Sequence, residues 1–201
     1  MKKRVVVTGL GCVTPVGIGR DEFWKSLISG VSGLDYITKF DATEYPTQVA
    51  AEVKNFNPED YIEKKDIRKM DRFTQFAVAS SQLAIKDAKL DTENIDSEKF
   101  GVIIGSGIGG IETFEEQSQR FADKGPRRIS PFFIPMMIGN MGAGQISIAF
   151  NAKGPNSTIV TACASSTNAI GEAFRIIQGG YANVMITGGA EASITPLAMA
   201  G

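Results

Sequence analysis

Short apolar runs rich in β-branched residues alternate with longer amphipathic segments along this chain of 201 residues, and this alternation is what most constrains its fold. The predicted strands are residues 4–8, a short piece within 49–53, and residues 100–105, 158–161 and 182–187. The predicted helices are residues 21–28, 65–88, 111–122, 140–150 and 164–177. Prolines predict a loop over residues 124–137. Strands that alternate with helices indicate a layered α/β domain.

The residue counts exclude several kinds of site. The chain has no histidine and two cysteines, which excludes a Ser-His-Asp or Cys-His nucleophile pair, a His-ligated metal and a structural zinc cluster within it. Its 21 basic and 22 acidic residues argue against general nucleic-acid binding. No apolar run approaches the roughly 20 residues that cross a bilayer, and so few cysteines suit a reducing compartment. We therefore expect a cytoplasmic protein with no nucleic-acid or membrane partner and no metal.

The last residues, SITPLAMAG, are apolar and follow a predicted strand. An apolar segment needs a surface to pack against. One interpretation is a short terminal helix folded back on the domain. The interpretation we favour is that residues 1–201 form one half of a larger protein and that a second half is absent.

A glycine cluster at residues 105–110 contains the spacing G-x-G-x-x-G between a predicted strand and a predicted helix, as a dinucleotide-binding turn does. That fingerprint also needs an acidic residue at the end of the next strand, about 20 residues further on. The sequence there is GPRRISPFF, which has neither a strand nor an acid. We therefore interpret the glycines as a tight turn that permits close backbone packing.

Cys163 is the residue best placed to react. It lies in TIVTACASSTNA, between a β-branched strand and a helix rich in alanine and serine, which is the layout of a nucleophile elbow. The N-terminus of a helix favours a thiolate, and its N–H groups can also hold an oxyanion. The alternative is a buried structural cysteine, the usual state of a free thiol. Cys12 has no such helix, and we predict that it only packs.

The segment around Cys163, VTACASSTNAIGEAFRIIQGG followed by VMITGGAEASITPLAMAG, resembles the β-ketoacyl-ACP synthases, above all the elongating, synthase II-like ones. RVVVTGLGCVTPVG, KMDRFTQFA, GSGIGG and PFFIPMM resemble the same family in order and spacing. The resemblance covers the whole chain. It implies the thiolase-like fold, in which two similar α/β halves form five layers, αβαβα. Residues 1–201 would be the N-terminal, nucleophile-bearing half, a mixed five-stranded sheet with helices on both faces.

The same resemblance implies a function in fatty-acid biosynthesis. Cys163 would accept an acyl chain from acyl carrier protein, and condensation with malonyl carrier protein would extend it by two carbons. Ile108, Phe133 and Ala162 would line the acyl pocket, with Phe133 supplied by the partner subunit of a homodimer. The resemblance implies no cofactor. The family takes two histidines, a lysine and a backbone amide from its second half, so we expect this chain alone to lack condensation activity.

A basic stripe is the predicted docking site for the carrier protein, which is strongly acidic in this family. Lys65, Arg68, Lys69 and Arg72 fall at positions i, i+3, i+4 and i+7 of a predicted helix, and Arg127 and Arg128 would extend the stripe. The alternative is an ordinary solvated helix face. The other functions considered are a non-catalytic module for carrier binding or dimerisation, another thiolase-fold enzyme and a nucleotide-dependent oxidoreductase.

Overall fold

The computed structural model describes residues 3–201. Its strands are β1 (Val13–Thr14), β2 (Gly17–Ile18), β3 (Asp35–Tyr36), β4 (Val49–Ala50), β5 (Phe100–Gly105), β6 (Asn156–Ile159) and β7 (Val184–Gly189). Its α-helices are α1 (Arg20–Ile28), α2 (Lys64–Ile67), α3 (Arg72–Ala88), α4 (Ile111–Lys124), α5 (Phe133–Met137), α6 (Met141–Phe150), α7 (Ser165–Gly179) and α8 (Pro196–Ala200). Short 3-10 helices lie at Pro58–Asp60, Ser97–Lys99 and Pro126–Arg128. The predicted α/β class is confirmed.

The central sheet has three parallel strands in the order β6-β5-β7. All six residues of β5 are buried, as expected for a parallel strand covered on both faces. Side chains alternate between the faces of a strand. Val102 and Ile104 accordingly join the core with α3 and α6, while Gly105 meets α7. The result is a helix layer on each side of the sheet, with the largest buried side chains, Phe73 and Phe100, on the α3 side.

The five-stranded sheet that we predicted is wrong for the described residues, because two predicted strands do not join it. The piece near residue 50 is β4, which pairs with β3 in a separate hairpin. Residues 4–8 form no strand, and Val6 and Val7 are 67% and 79% exposed. This segment leads instead onto α3, where Gly9 lies so close to Ala84 that a Cβ atom would stand 2.3 Å from the Ala84 carbonyl oxygen. The small residues of α3 pack against this backbone.

The single helix predicted over residues 65–88 is wrong, because the chain breaks between α2 and α3. Asp71 causes the break: its carboxylate accepts a hydrogen bond from the Phe73 N–H at 3.1 Å and caps α3. The same buried carboxylate accepts bonds from the Thr113 N–H at 2.9 Å and the Thr113 hydroxyl at 2.6 Å. Burial raises the pKa of Asp71, against the effect of these bonds. Asp71 therefore ties the beginning of α3 to the beginning of α4.

Other boundaries moved less. The predicted loop over residues 124–137 contains the 3-10 helix at Pro126–Arg128 and the short helix α5, since a proline is tolerated in the first turn of a helix. β6 and β7 are displaced by two residues from their predictions, while α1, α4, α6 and α7 lie close to theirs. Within residues 3–201, no helix is both long enough and apolar enough to span a membrane.

We predict that Asp71→Ala lowers the free energy of unfolding by about 2–4 kcal/mol, because it removes a helix cap and leaves buried Thr113 donors without an acceptor. Chemical denaturation of the protein measures this loss. The matched control is Asp96→Ala, since Asp96 caps an exposed 3-10 helix through one bond at 3.0 Å. A loss at Asp71 no greater than that at Asp96 would contradict the role of the buried bonds.

Candidate active site

A cavity of about 480 Å³ opens where the carboxyl ends of β5, β6 and β7 meet. Parallel strands place their carboxyl ends at one edge of a sheet, so the loops that follow them surround a common space. Gly105 ends β5, and residues 106–108 follow it. Ala162 and Cys163 follow β6, and Gly189 ends β7, which Ala190 and Glu191 follow. These three segments form the walls of the cavity.

Cys163 lies on the turn between β6 and α7 and is exposed. Ala162, just before it, has φ of +49°, a left-handed conformation that is costly for a residue with a Cβ atom. Cys163 lies two residues before the first residue of α7 and lines the cavity. That helix is 15 residues long, and no side chain caps its N-terminus. The predicted elbow around Cys163 is therefore present in the structure.

Ser165 holds this turn, and the sequence analysis missed it. Its hydroxyl accepts a hydrogen bond from the Thr161 N–H at 2.8 Å and donates one to the Ala162 carbonyl oxygen at 2.7 Å. Ser165 is 3% exposed, whereas Thr161 and Ala162 are exposed. The signal that could have identified it is a serine two residues after the candidate nucleophile. Ser165 therefore ties the two residues before Cys163 to the first residue of α7.

Two glycines allow α7 to lie directly on the strand ends. A Cβ atom at Gly105 would stand 2.3 Å from the Ser165 carbonyl carbon, and one at Gly189 would stand 2.7 Å from the Ser166 Cβ. Such distances are far below van der Waals contact, so only glycine fits at both positions. The close approach places the N-terminus of α7 at the floor of the cavity.

The glycine cluster after β5 is architectural, as predicted. Gly109 has φ of +78°, which favours glycine, and a Cβ atom at Gly110 would stand 2.3 Å from the Met136 carbonyl oxygen. The N–H groups of Gly107 and Ile108 donate to the Glu191 carboxylate at 2.6 Å and 3.1 Å. An acidic side chain thus occupies the donors that a nucleotide phosphate would need.

The structure brings together two of the three predicted pocket residues. Ile108, which is 55% exposed, and Ala162 line the cavity with Cys163. Phe133 is the first residue of α5 and is absent from the walls of this cavity in the described chain. Cys12 is partly buried, and burial raises the pKa of its thiol. No group of three potential metal ligands from Cys, Asp and Glu occurs within residues 3–201.

The predicted basic stripe does not lie on one helix. Lys65 pairs with Glu63 at 2.6 Å, and Lys69 pairs with Asp66 at 2.8 Å. Arg68, which is exposed, follows α2. The four cations are therefore spread over two helices and the turn that joins them.

Arg72 is only half-exposed. Its guanidinium lies 4.7 Å from the centre of the Phe56 ring and 4.9 Å from that of Phe76, and burial lowers its pKa. Arg72 therefore serves packing as much as surface charge.

Arg127 and Arg128 belong to a second cluster. Both are exposed and follow the C-terminus of α4, and Arg128 faces Arg120 and Lys124 across a surface depression. The other end of α4 contacts Asp71 through Thr113. The two basic clusters therefore lie toward opposite ends of α4, where Thr113 and Lys124 are about 17 Å apart along the helix.

A comparison with known protein families agrees with this geometry. The sequence model of the family described as "Beta-ketoacyl synthase, N-terminal domain" matches residues 2–201. The chain belongs to the β-ketoacyl synthase family. The resemblance inferred from the motifs around Cys163 is thereby confirmed.

This ketoacyl synthase domain is 54% identical over 199 residues to 3-oxoacyl-(acyl-carrier-protein) synthase 2 of Staphylococcus aureus (strain N315), an alignment covering 99% of the chain and 48% of the relative. It is similar to the crystal structure of a β-ketoacyl synthase from Burkholderia phymatum, with a TM-score of 0.86, 32% identity, and coverage of 100% of this chain and 49% of the other. The chain spans about half the length of the relatives that it matches. Its α/β fold is that of the N-terminal half of a ketosynthase.

A second similar structure is a type II polyketide ketosynthase in complex with its acyl-carrier protein. Its TM-score is 0.86 at 25% identity, and the match covers 98% of this chain and 53% of that one.

We predict that Gly105→Ala lowers the free energy of unfolding by about 3 kcal/mol, because the new methyl group must push the α7 backbone off β5. Thermal or chemical unfolding measures the change. Gly171→Ala is the matched control: Gly171 lies within the same helix, and a Cβ atom there would meet nothing within 4 Å. We expect that control to be neutral or to stabilise by about 0.5–1 kcal/mol. Equal effects of the two substitutions would refute the close-contact interpretation.

Proposed function

We propose that this chain is the nucleophile-bearing half of a 3-oxoacyl-ACP synthase, an acyltransferase of fatty-acid elongation that uses no organic cofactor. The observation that carries the proposal is the exposed Cys163 on a strained turn, at the N-terminus of a 15-residue helix and at the edge of a cavity. The 54% identity to a 3-oxoacyl-(acyl-carrier-protein) synthase 2 supports the same reaction.

In the proposed first step, the Cys163 thiolate attacks the thioester carbonyl carbon of acyl carrier protein. A new C–S bond forms at Cys163, the C–S bond to the carrier breaks, and the carrier leaves as its thiolate, which takes up a proton from water. The N-terminus of α7 favours the thiolate and supplies N–H groups for the oxyanion of the tetrahedral intermediate. Ile108 and Ala162 provide apolar walls beside the thiol, where the acyl chain would begin its path.

In the proposed second step, malonyl carrier protein loses carbon dioxide, and its carbanion attacks the carbonyl carbon of the Cys163 thioester. The new C–C bond lengthens the chain by two carbons, and Cys163 leaves as the thiolate. By the family resemblance, two histidines and a lysine of a second half assist this step. Residues 1–201 contain no histidine. We therefore propose that the second half is required for condensation.

We also propose the five-layered stack of two similar halves. The three layers seen here leave large apolar side chains such as Val6, Val160 and Tyr181 at 65–70% exposure. A second half or a second copy would remove such surface from water, at about 25 cal/mol per Å² of apolar area. In a homodimer, Phe133 would reach the acyl pocket of the partner subunit.

We propose that the cations around α2 dock an acidic carrier protein. Arg68 is exposed and makes no salt bridge within the described part of the chain, so it can meet a carboxylate without first breaking a pair. The complex between a similar ketosynthase and its acyl-carrier protein supports a carrier protein as the partner. Arg127 and Arg128, at the far end of α4, would offer a second contact.

The first measurement is an intact mass of the protein before and after incubation with a long-chain acyl carrier protein. We expect one acyl group per chain and its complete loss in Cys163→Ala, because the thioester forms at that sulfur. Cys12→Ala is the matched control and should keep the adduct. An adduct that persists in Cys163→Ala would refute Cys163 as the acylated residue. No adduct in the full-length protein would indicate a non-catalytic module instead.

Charge reversal tests the docking surface separately. We predict that Arg68→Glu slows association with the carrier protein about 3–10-fold at low salt, and that added salt narrows the difference. Stopped-flow mixing at two ionic strengths measures both effects. Lys86→Glu is the control, since Lys86 is exposed near the other end of α3, about 20 Å along that helix from Arg72. Equal slowing by both variants would show that only net charge matters.

A further inference from the structure

We propose that Glu191 is a positioning residue: it holds the glycine turn of residues 107–110 so that the Ile108 side chain borders the cavity, and it thereby sets which acyl chains react with Cys163. This inference rests on the proposed acyl transfer for its second part, the chain-length effect. Its first part, the position of the turn, stands on hydrogen bonds alone.

Both oxygens of the Glu191 carboxylate are directed at the turn. Oε2 accepts from the N–H groups of Gly107 at 2.6 Å and of Ile108 at 3.1 Å, while Oε1 lies 3.4 Å from the Ser106 hydroxyl oxygen. The Ser106 oxygen in turn accepts from the Gly109 N–H at 3.1 Å. One side chain therefore organises the N–H groups of three successive residues, two directly and one through Ser106.

Glu191 is paired with backbone N–H groups, as Asp71 is, and not with a cation. Asp66, Asp87 and Glu112 each form a salt bridge with lysine or arginine, whereas Glu191 forms none within the described residues. Its negative charge faces backbone N–H groups, and hydrogen bonds to a charged acceptor are about twice as strong as those between neutral groups. A carboxylate that only kept the surface soluble would not need these backbone hydrogen bonds.

The turn needs an external support because its own residues supply little. Three of its four residues are glycines, which have the greatest backbone freedom of any residue. Ile108 is the only residue of the turn that is not a glycine. Because it is 55% exposed, packing does not hold its side chain in place. The bonds to Glu191 therefore decide where Ile108 lies.

Glu191 is itself well anchored relative to the sheet. The Ala190 N–H donates to the Gly105 carbonyl oxygen at 3.0 Å, which continues the pairing of β7 with β5 beyond the last strand residue. The carboxylate thus reaches the turn from a rigid neighbouring strand. Cys163, Ile108 and Glu191 line the same cavity, so a shift of the turn changes the space beside the thiol.

The test compares Glu191→Ala and Glu191→Gln with the unaltered full-length protein. Acylation of Cys163 is followed by intact mass with short-chain and long-chain acyl carrier proteins. We expect Glu191→Ala to slow the long-chain reaction about tenfold more than the short-chain one, and Glu191→Gln to act in the same direction by about twofold to threefold. Glu116→Ala is the matched control, because Glu116 is an exposed acid on α4 with no side-chain hydrogen bond among the described residues.

Two further readouts separate the possible failures. Iodoacetamide alkylation of Cys163 should stay within about twofold in both variants, since a small reagent does not need the acyl path. Amide hydrogen exchange at Gly107 and Ile108 should become faster in Glu191→Ala, because these N–H groups lose their acceptor. Faster exchange in a protein that accepts no acyl group would refute the proposed function and leave the positioning role intact.

Unchanged exchange, or an equal loss of rate at every chain length, would overturn the role of Glu191. If Glu191→Ala does not fold, the same comparison made with Glu191→Gln decides the matter.

Discussion

The site depends on a contact between two backbones that no side chain separates. Strand β5 meets helix α7 at Gly105, and strand β7 meets the same helix at Gly189. These contacts bring the N-terminus of α7 down to the carboxyl edge of the sheet. The Cys163 thiol therefore lies close to the N-terminus of α7, within the electrostatic field of that helix end. A methyl group at either glycine would separate them, so sheet packing and candidate chemistry share one constraint.

Turns built from small residues gain little rigidity from side-chain packing. In this protein, hydrogen bonds from polar side chains to the backbone hold such turns instead. Ser165 spans the turn at Ala162 with two hydrogen bonds, and Glu191 accepts hydrogen bonds from the N–H groups of the glycine turn opposite. Small residues leave room for a substrate beside Cys163. Hydrogen bonds to the backbone keep that room in a fixed shape. Side-chain hydrogen bonds to the backbone thus hold both walls of the cavity, from Ser165 after β6 and from Glu191 after β7.

No lysine or arginine of the described residues lines this cavity. Asp71 ends the turn after α2, caps α3 and binds Thr113 at the beginning of α4. It therefore fixes the cations of α2 relative to the helix that follows the glycine turn. The Arg72 guanidinium makes cation–π contacts with two aromatic rings, whereas Arg68 remains exposed. The basic surface is divided over two ends of α4, which favours an extended acidic partner over a small anion.

The sequence by itself determined the α/β class, the glycines as architectural, and Cys163 at a strand-to-helix turn, because these depend on local periodicity and on residue types within a few positions. The tertiary structure decided what distant segments do to each other. It left residues 4–8 outside the sheet, divided the helix predicted over 65–88 at Asp71, and separated Arg127 from Arg68. It also brought Glu191 to the glycine turn, 83 residues away in sequence. Hydrogen bonds across that separation depend on the register of parallel strands, which no local pattern of residues encodes.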